Sequence, residues 1–544
     1  MMQLHAVLVE GAALQKAGDW DTADQRYRSV LAQVPHHPLA LHLAATLAAG
    51  RKRFDEAIDL FRRSLATQPA NPVAWGGLAQ ACLETEQVEQ AREAARKAIE
   101  LAPQVAKNWY LDGAAALSAK DYAHAAASFA KARELGADAG LGAFILGMEW
   151  DLAQRTCDWP ALERCEQTMR GQGGGVLAPF SALAFADDPA LHRRCVEGAL
   201  QGLAHVEAAK TFAHGTHGKI RVAYLSADFR EHPLPYLMAE LFERHDRSRF
   251  EVIAVSWGPG EGDPIRARLK KGFDEFWDVR GWSVPRIAAR MREAEIDIAV
   301  DLMGHTELSK LELLLGKPAP VVVNYMGFPG TTGSTLHDYI IGDAVITPFG
   351  HARHYSEHIV QMPHSYMVND SQRAIAPQVP SRAQEGLPEQ GFVFAAFNNV
   401  YKIRPAFFKV WMSLLRQVPG SVLWLVCSEP MAQKNLRAEA SACGIEPARL
   451  VFARKLPQAQ HLARHSHAGV LLDTLPVNAH ATTSDALWAG IPVVTCMGEA
   501  FAGRVAASLL TAVGLQELIT HNLQDYEALA LRIAQDPAYQ QRLC

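Results

Sequence analysis

The sequence has no C-x-x-C pair, no basic excess, no apolar run long enough to cross a bilayer and neither of the common glycine-rich phosphate signatures. Each absence removes a class. The eight cysteines, at 82, 157, 165, 195, 427, 443, 496 and 544, stand far apart and are read as reduced thiols, not as a disulfide framework. Lys and Arg number 53 against 58 Asp and Glu, a net charge of −5 that offers no footprint for nucleic acid or an acidic membrane surface. The opening MMQLHAVLVEGAALQKAGDW carries no Lys or Arg ahead of its apolar stretch, and Glu10 interrupts that stretch, so no export signal is read. The apolar segment LELLLGKPAPVVVNYMGF is broken by Lys317, Pro318 and Pro320 too early for a membrane span. A cytoplasmic protein with no membrane or nucleic-acid partner is expected. Neither G-x-G-x-x-G after a first strand nor G-x-x-x-x-G-K-[ST] occurs, which disfavours a dinucleotide enzyme and a P-loop ATPase.

What is present begins with repetition. A chain of 544 residues exceeds a single core, so several domains are expected. Sliding the first quarter against itself by 34 residues aligns Ala23, Ala57, Ala91 and Ala125, and in the same register Pro35, Pro69 and Pro103. Gly11, Ala45, Ala79 and Gly113 share that register, as do Tyr27, Phe61, Ala95 and Phe129. Small residues let antiparallel helices approach, an aromatic fills the groove beside them, and Pro ends the second helix. This is the tetratricopeptide pattern, four copies over 1–139. Such arrays bind protein segments along a concave face or act as spacers and dimer contacts, so a homodimer stays open.

Residues 140–217 read as a mostly helical linker continuing the repeat stack, with a Gly-rich break at 171–175. From 218 the texture changes to alternating strands and helices: KIRVAYLSADF, FEVIAVSWG, IDIAVDLMG and PVVVNYMGFPG in a module over 218–385, then GFVFAAFNN, SVLWLVCS, RLVFARK, AGVLLDT and PVVTC in a second over 386–544. Two parallel-sheet modules in series place the loops at the carboxyl ends of both sheets around one ligand.

The stretch NAHATTSDALWAG, 478–490, is the turn between one of those strands and a helix. Free amides at a helix start suit an anion, Thr482 and Thr483 can add hydroxyls, and His480 can approach from the loop. Simple capping by Thr482 or Ser484, with Asp485 in the first turn, explains the same residues. Lys402, in FNNVYKIRP, follows another strand of that module, where an ammonium would stabilise a departing diphosphate alongside the helix start.

FNNVYKIRPAFFKVWMSLLRQVPGSVLWLV, LDTLPVNAHATTSDALWAGIPVVT, GRVAASLLTAVGLQELI, PAPVVVNYMGFPGTTG and HYSEHIVQMPHSYMVND resemble the catalytic region of the O-linked N-acetylglucosamine transferases, in which tetratricopeptide repeats also precede that region. The family includes the SPINDLY-type O-fucosyltransferases. The resemblance implies a two-domain GT-B glycosyltransferase, inverting and metal-independent, with UDP-N-acetylglucosamine as donor, Ser or Thr hydroxyls as acceptors and no cofactor. It implies that Lys402 contacts the donor diphosphate, that His480 and Thr482 form the phosphate turn, that Asp485 holds the ribose, that His461 stacks on uracil and that Asn399 lies in the donor site, where the animal enzymes have Gln. Gln458 stands where those enzymes carry a Lys beside the uracil, and Ala481 replaces the first Thr of their phosphate turn.

In the first module, His232 matches a family histidine proposed as general base; a donor phosphate oxygen or a water relay are the alternatives, with the histidine only positioning sugar or acceptor. His305 and the turn GFPGTTG, with Pro329, Gly330 and Thr331, end strands of the same module and are expected to line the sugar or acceptor cleft, although a purely structural turn explains Gly330 and Gly333 nearly as well. Asp301 is given no role. His351, His354 and His358, and His461, His465 and His467, have spacings that could suit a metal but lack supporting Cys or carboxylates, so no metal site is expected. The rivals to N-acetylglucosamine transfer are fucosyl transfer from GDP-fucose and a repeat scaffold that senses a sugar nucleotide without turnover.

Overall fold

The computed structural model describes residues 2–171, 177–201, 217–260 and 262–544. The chain divides into two compact units, Met1–Thr156 with Pro160–Cys165, and Cys157–Trp159 with Glu166–Cys544. The linker expected over 140–217 is therefore shared between them, with the helix Ala139–Thr156 in the first and the helices Pro179–Phe185 and Pro189–Leu200 in the second. Most of the Gly-rich break at 171–175 lies outside the described residues.

The first unit contains four antiparallel helix pairs: Met2–Lys16 with Trp20–Gln33, Pro38–Gly50 with Phe54–Thr67, Pro72–Glu84 with Val88–Leu101, and Ala106–Ser118 with Tyr122–Glu134. The 34-residue register is structural throughout. A β-carbon added at Gly11 would lie 2.6 Å from the Tyr27 ring, and one at Gly113 would lie 2.6 Å from the Phe129 ring, so the small residue admits the aromatic. Trp75 and Trp109 each donate their indole N–H to a proline carbonyl, Pro69 and Pro103, at 2.8 Å. The turn inside each pair takes one left-handed residue, Gly18, Lys52, Glu86 or Lys120, with φ of 87°, 57°, 57° and 60°. Three of these four are not glycine, so composition alone gives no hint of the turn.

The second unit holds two parallel sheets. The first contains β1 (Ile220–Ser226), β2 (Phe250–Ser256), β3 (Glu275–Asp278), β4 (Ile298–Asp301), β5 (Val321–Asn324), β6 (Tyr339–Asp343) and β7 (His358–Met362), in the order β3-β2-β1-β4-β5-β6-β7. The second contains β8 (Val393–Ala396), β9 (Val422–Val426), β10 (Leu450–Ala453), β11 (Val470–Leu472), β12 (Val493–Cys496) and β13 (Ile519–Thr520), in the order β10-β9-β8-β11-β12-β13. Strands buried on both faces read as unbroken apolar runs. In β1 and β2, Val222, Tyr224, Val252 and Ala254 enter one core, while Ala223, Leu225, Ile253 and Val255 enter the other.

This is the expected pair of Rossmann-like modules, and the strand order places the loops that matter. Order reverses between β1 and β4 in the first sheet and between β8 and β11 in the second, and ligands of open α/β sheets bind at such switch points. The two modules also share a core. Phe501, Val505 and Leu509 of the second pack with Leu234, Leu237 and Met238 of the first, and Ala481 and Leu487 pack against the same cluster. Among the described residues, no helix is long and apolar enough to cross a membrane.

Candidate active site at the strand switch points

Lys402 follows β8 in a short 3-10 turn, Val400–Lys402, that Asn399 caps by accepting the Tyr401 amide at 3.4 Å. Exposed Asn399 thus has a local structural task as well as a place in the loop. Helices preceding the first sheet brace this loop: Cys157 lies against the Val400 carbonyl, Phe180 against Tyr401, and Glu166 pairs with Arg404 at 2.6 Å. The Lys402 ammonium donates to the Asn478 carbonyl at 2.7 Å, so the lysine and the turn 478–485 after β11 meet.

The opposing charge that acts on Lys402 is Asp473, directly after β11, a residue that motif reading passed over. Its Oδ1 accepts the Ala479 amide at 2.6 Å and its Oδ2 accepts the Thr495 hydroxyl at 2.6 Å. Asn398 donates to the Thr474 hydroxyl at 2.9 Å beside it. Burial lowers Lys402 to about 8, opposed by the Asp473 charge, and burial raises Asp473 to about 6. The signal available in sequence was its position, a carboxylate directly after a buried strand at a switch point.

The helix Ala481–Trp488 begins at His480. The amides of Thr483 and Ser484 return to the His480 carbonyl, which leaves those of Ala481 and Thr482 at the open end. The two threonines then part company. Thr483 is buried and donates its hydroxyl to the Ala479 carbonyl at 2.8 Å, so it stitches the turn and is not free for a phosphate. Thr482 stays half-buried at the mouth of the helix. His480 places Nε2 3.2 Å from the Ala502 carbonyl; a carbonyl only accepts, so Nε2 carries the hydrogen. Burial, and next the Lys402 charge, lower it to about 3, so the ring is neutral.

Asp485 sits one turn further along. It is ion-paired to Arg373, and Gln458 donates an amide to its two oxygens at 3.3 and 3.4 Å. His461 brings Nε2 to 3.9 Å from Oδ2. Arg464 donates to His461 Nδ1 at 2.7 Å, which fixes the hydrogen on Nε2, and burial lowers the ring to about 2. The neutral, pre-oriented imidazole and the carboxylate therefore form one cluster with Gln458.

In the first module, His232 caps the helix Pro233–Glu243, its Nδ1 accepting the Leu234 amide at 3.4 Å. The remaining nitrogen carries hydrogen, so the ring as placed offers a donor and not a base. Burial lowers its pKa, with Asp228 opposing. That helix packs against the helix Ala481–Trp488, which joins the two switch points.

His305 donates Nε2–H to the Thr332 carbonyl at 2.9 Å, and burial lowers its pKa. The neighbouring turn is more structural than sequence suggested. Pro329, Gly330 and Thr331 are buried. Thr331 donates its hydroxyl to Glu357 at 2.6 Å, Thr332 gives Glu357 its hydroxyl and amide at 2.7 Å each, and Asn324 binds the Gly330 carbonyl at 3.1 Å. The Thr331 hydroxyl is thus committed to a carboxylate instead of facing a sugar. Gly333 has φ of 74°, and an added β-carbon would lie 2.3 Å from Val196. Asp301 accepts the Met303 and Gly304 amides at 3.0 Å and faces His337 at 2.9 Å, so it shapes the turn after β4.

The described geometry brings Lys402, Asp473, His480 and Thr482 into one cluster, and Asp485, one turn along the helix Ala481–Trp488, into a second with Gln458 and His461 of the helix Gln458–Arg464. His232, His305 and the GFPGTTG turn occupy the facing module. Among the described residues, no group of three His, Cys, Asp or Glu is arranged to hold a metal ion, and this includes both histidine triplets.

A family model described as glycosyl transferase family 41 matches residues 195–378 and 372–544, and two tetratricopeptide-repeat models match 8–72 and 47–111. A probable UDP-N-acetylglucosamine–peptide N-acetylglucosaminyltransferase SEC of Arabidopsis thaliana is 35% identical over 376 residues, 66% of this chain and 38% of the relative. The UDP-N-acetylglucosamine–peptide N-acetylglucosaminyltransferase of Caenorhabditis elegans is 26% identical over 432 residues, 58% of this chain and 37% of the relative. A rice relative with the same activity in its name, designated SPINDLY and also marked probable, is 33% identical over 334 residues, 59% of this chain and 35% of its own. The chain thus spans 35% to 38% of the length of these curated relatives. The solved structure of a mutant O-GlcNAc transferase from Thermobaculum terrenum superposes with a TM-score of 0.61 at 25% identity, covering 99% of this chain and 91% of that one. With a lysine-bearing loop and a helix start meeting at the switch point of two Rossmann-like modules, and a family match over most of both, the chain belongs to glycosyl transferase family 41.

Proposed function

We propose that the protein transfers N-acetylglucosamine from UDP-N-acetylglucosamine to Ser or Thr hydroxyls of proteins, with inversion at the anomeric carbon and without a metal or other cofactor. One observation carries the reading: Lys402 reaches the turn 478–485 at the switch point of the second sheet, beside the open amides of Ala481 and Thr482. As the bond from sugar to diphosphate breaks, negative charge grows on the leaving oxygen. An ammonium and two amides in a water-poor site stabilise that charge more than they stabilise the intact donor, which is the requirement for catalysis. Asp485 and His461 take the nucleoside side, and Asn399 anchors the lysine loop.

The acceptor hydroxyl attacks the opposite face of the sugar. His232, with its Nδ1 occupied and an N–H to offer, orients the acceptor or the sugar, and the hydroxyl proton passes to a donor phosphate oxygen or a water. The repeat array supplies a groove of about 520 Å³ lined by His42, Thr46, Val73, Gln80, Lys107 and Asn108, which suits an extended acceptor segment.

The test is transfer of label from UDP-N-acetylglucosamine and, separately, GDP-fucose to a Ser/Thr peptide library, with EDTA present and the product's anomeric configuration read by NMR. A β-linked N-acetylglucosamine product that survives EDTA is expected. Transfer from GDP-fucose alone would replace the donor, and tight UDP binding with no transfer from either donor would make the protein a sensor.

A further inference from the structure

Arg373 lies outside every motif that points to the donor, in the segment that leaves β7 for the second module. Yet its guanidinium is buried against the nucleoside side of the candidate site, with its side chain 2% exposed, and pairs with Oδ1 of Asp485. A second nitrogen donates to the Ser484 hydroxyl at 3.3 Å, and Ser484 in turn donates to Asn369 at 3.1 Å. The backbone around it is held at three points: the Ser371 amide by Glu240 at 2.7 Å, the Arg373 carbonyl by the Trp488 indole at 3.1 Å, and the Ala376 amide by the Ala459 carbonyl at 3.0 Å. A surface arginine would need none of this. Its Nε is buried without a hydrogen-bond partner among the described residues, an unusual state for a guanidinium donor.

Resting on the donor reading above, we propose that Arg373 is a specificity-determining residue for the sugar nucleotide: it occupies Oδ1 of Asp485 and holds the carboxylate so that Oδ2 is presented to the ribose hydroxyls. Three groups converge on Asp485, and they divide its oxygens unequally. Oδ1 takes the Arg373 charge, Gln458 spans both oxygens at 3.3 and 3.4 Å, and Oδ2 has His461 at 3.9 Å, too far for a hydrogen bond. Oδ2 is therefore the oxygen with capacity to spare. Burial raises the Asp485 carboxyl and Arg373 is the first influence opposing that rise, so loss of the guanidinium favours a neutral carboxyl that accepts ribose hydroxyls poorly. The pair also ties the donor site to the inter-module segment, since Asp370, three residues earlier, is ion-paired to Arg268 of the first module.

The experiment is isothermal titration of the full chain with UDP and with 2′,3′-dideoxy-UDP, repeated with the guanosine pair, on wild type, Arg373→Gln, Arg373→Lys and Asp485→Asn. A charge-assisted hydrogen bond to a ribose hydroxyl predicts that wild type binds the ribonucleotide about tenfold more tightly than its dideoxy analogue. In Arg373→Gln and Asp485→Asn that ratio is expected to fall to about twofold, with the loss confined to the ribonucleotide, and Arg373→Lys should recover part of it. If Arg373→Gln does not fold, Asp485→Asn and Arg373→Lys read the same ratio. An undiminished ratio in folded Arg373 variants overturns the inference and leaves the donor reading standing. A wild type that binds no nucleoside diphosphate overturns the donor reading and the inference with it.

Discussion

Replacing Lys402 by Met removes the ammonium and keeps most of the side-chain volume, so it isolates the charge. The structure gives the size of the effect. Lys402 Nζ already lies 2.7 Å from the Asn478 carbonyl at the mouth of the turn 478–485, so a diphosphate oxygen seated at that helix start, as proposed, would be about 4 Å or less from the charge. At an effective dielectric near 20, one unit of charge developing at that distance is stabilised by about 4 kcal/mol. At roughly 1.4 kcal/mol per tenfold, kcat should fall on the order of a thousandfold. The donor KM should change far less, because most of that charge exists only as the bond breaks. Stability should move little, because loss of one hydrogen bond, about 1 kcal/mol, is offset by release of a desolvated ammonium. The assay is UDP release with a peptide acceptor at saturating donor, with a thermal melt alongside. A kcat within tenfold of wild type in a folded Lys402→Met protein would refute the assignment of Lys402 and the electrostatic reasoning behind it.

The Lys402–Asp473 pair predicts a bell-shaped pH profile of kcat/KM. Activity should rise as Asp473 ionises near 6 and fall as Lys402 loses its proton near 8, both limits belonging to the pair as a unit. The acidic limb should vanish in Asp473→Asn and persist in His232→Gln, whereas loss of that limb in the histidine variant would restore His232 as the base. Thr482→Val should raise the donor KM by about three- to tenfold, while Thr483→Val, which strips a buried hydrogen bond to Ala479, should lower stability by about 1–3 kcal/mol in a denaturant melt without the same KM effect. Gly113→Ala places a methyl against the Phe129 ring, and overpacking of about 1–3 kcal/mol should outweigh the ~1 kcal/mol gained in helix propensity, lowering the repeat unit's transition in calorimetry.

Much of this was legible in one dimension. The 34-residue register depends on residues that must face a neighbour at the same point of every repeat, and buried parallel strands need apolar runs, so both are written locally. The turn 478–485 and the lysine loop were visible because they follow strands directly. Asp473 was missed because a carboxylate after a strand is common in sequence and becomes informative only when its partner, Lys402, arrives from 71 positions earlier. Thr331 and Thr483 looked like ligands because a hydroxyl's own string of letters does not say whether Glu357 or the Ala479 carbonyl already holds it.

The sequence by itself determined the repeat array, the two strand-helix modules and the loops that carry Lys402 and the turn 478–485, because helix and strand periodicity and glycine, proline and aromatic placement act over a few residues. Only the tertiary structure decided which hydroxyls are free, which ring nitrogens carry hydrogen and that Arg373 reaches Asp485 across 112 positions. Those outcomes depend on which side chains share a buried space, where a single partner fixes a proton or a charge, and no local pattern encodes that proximity.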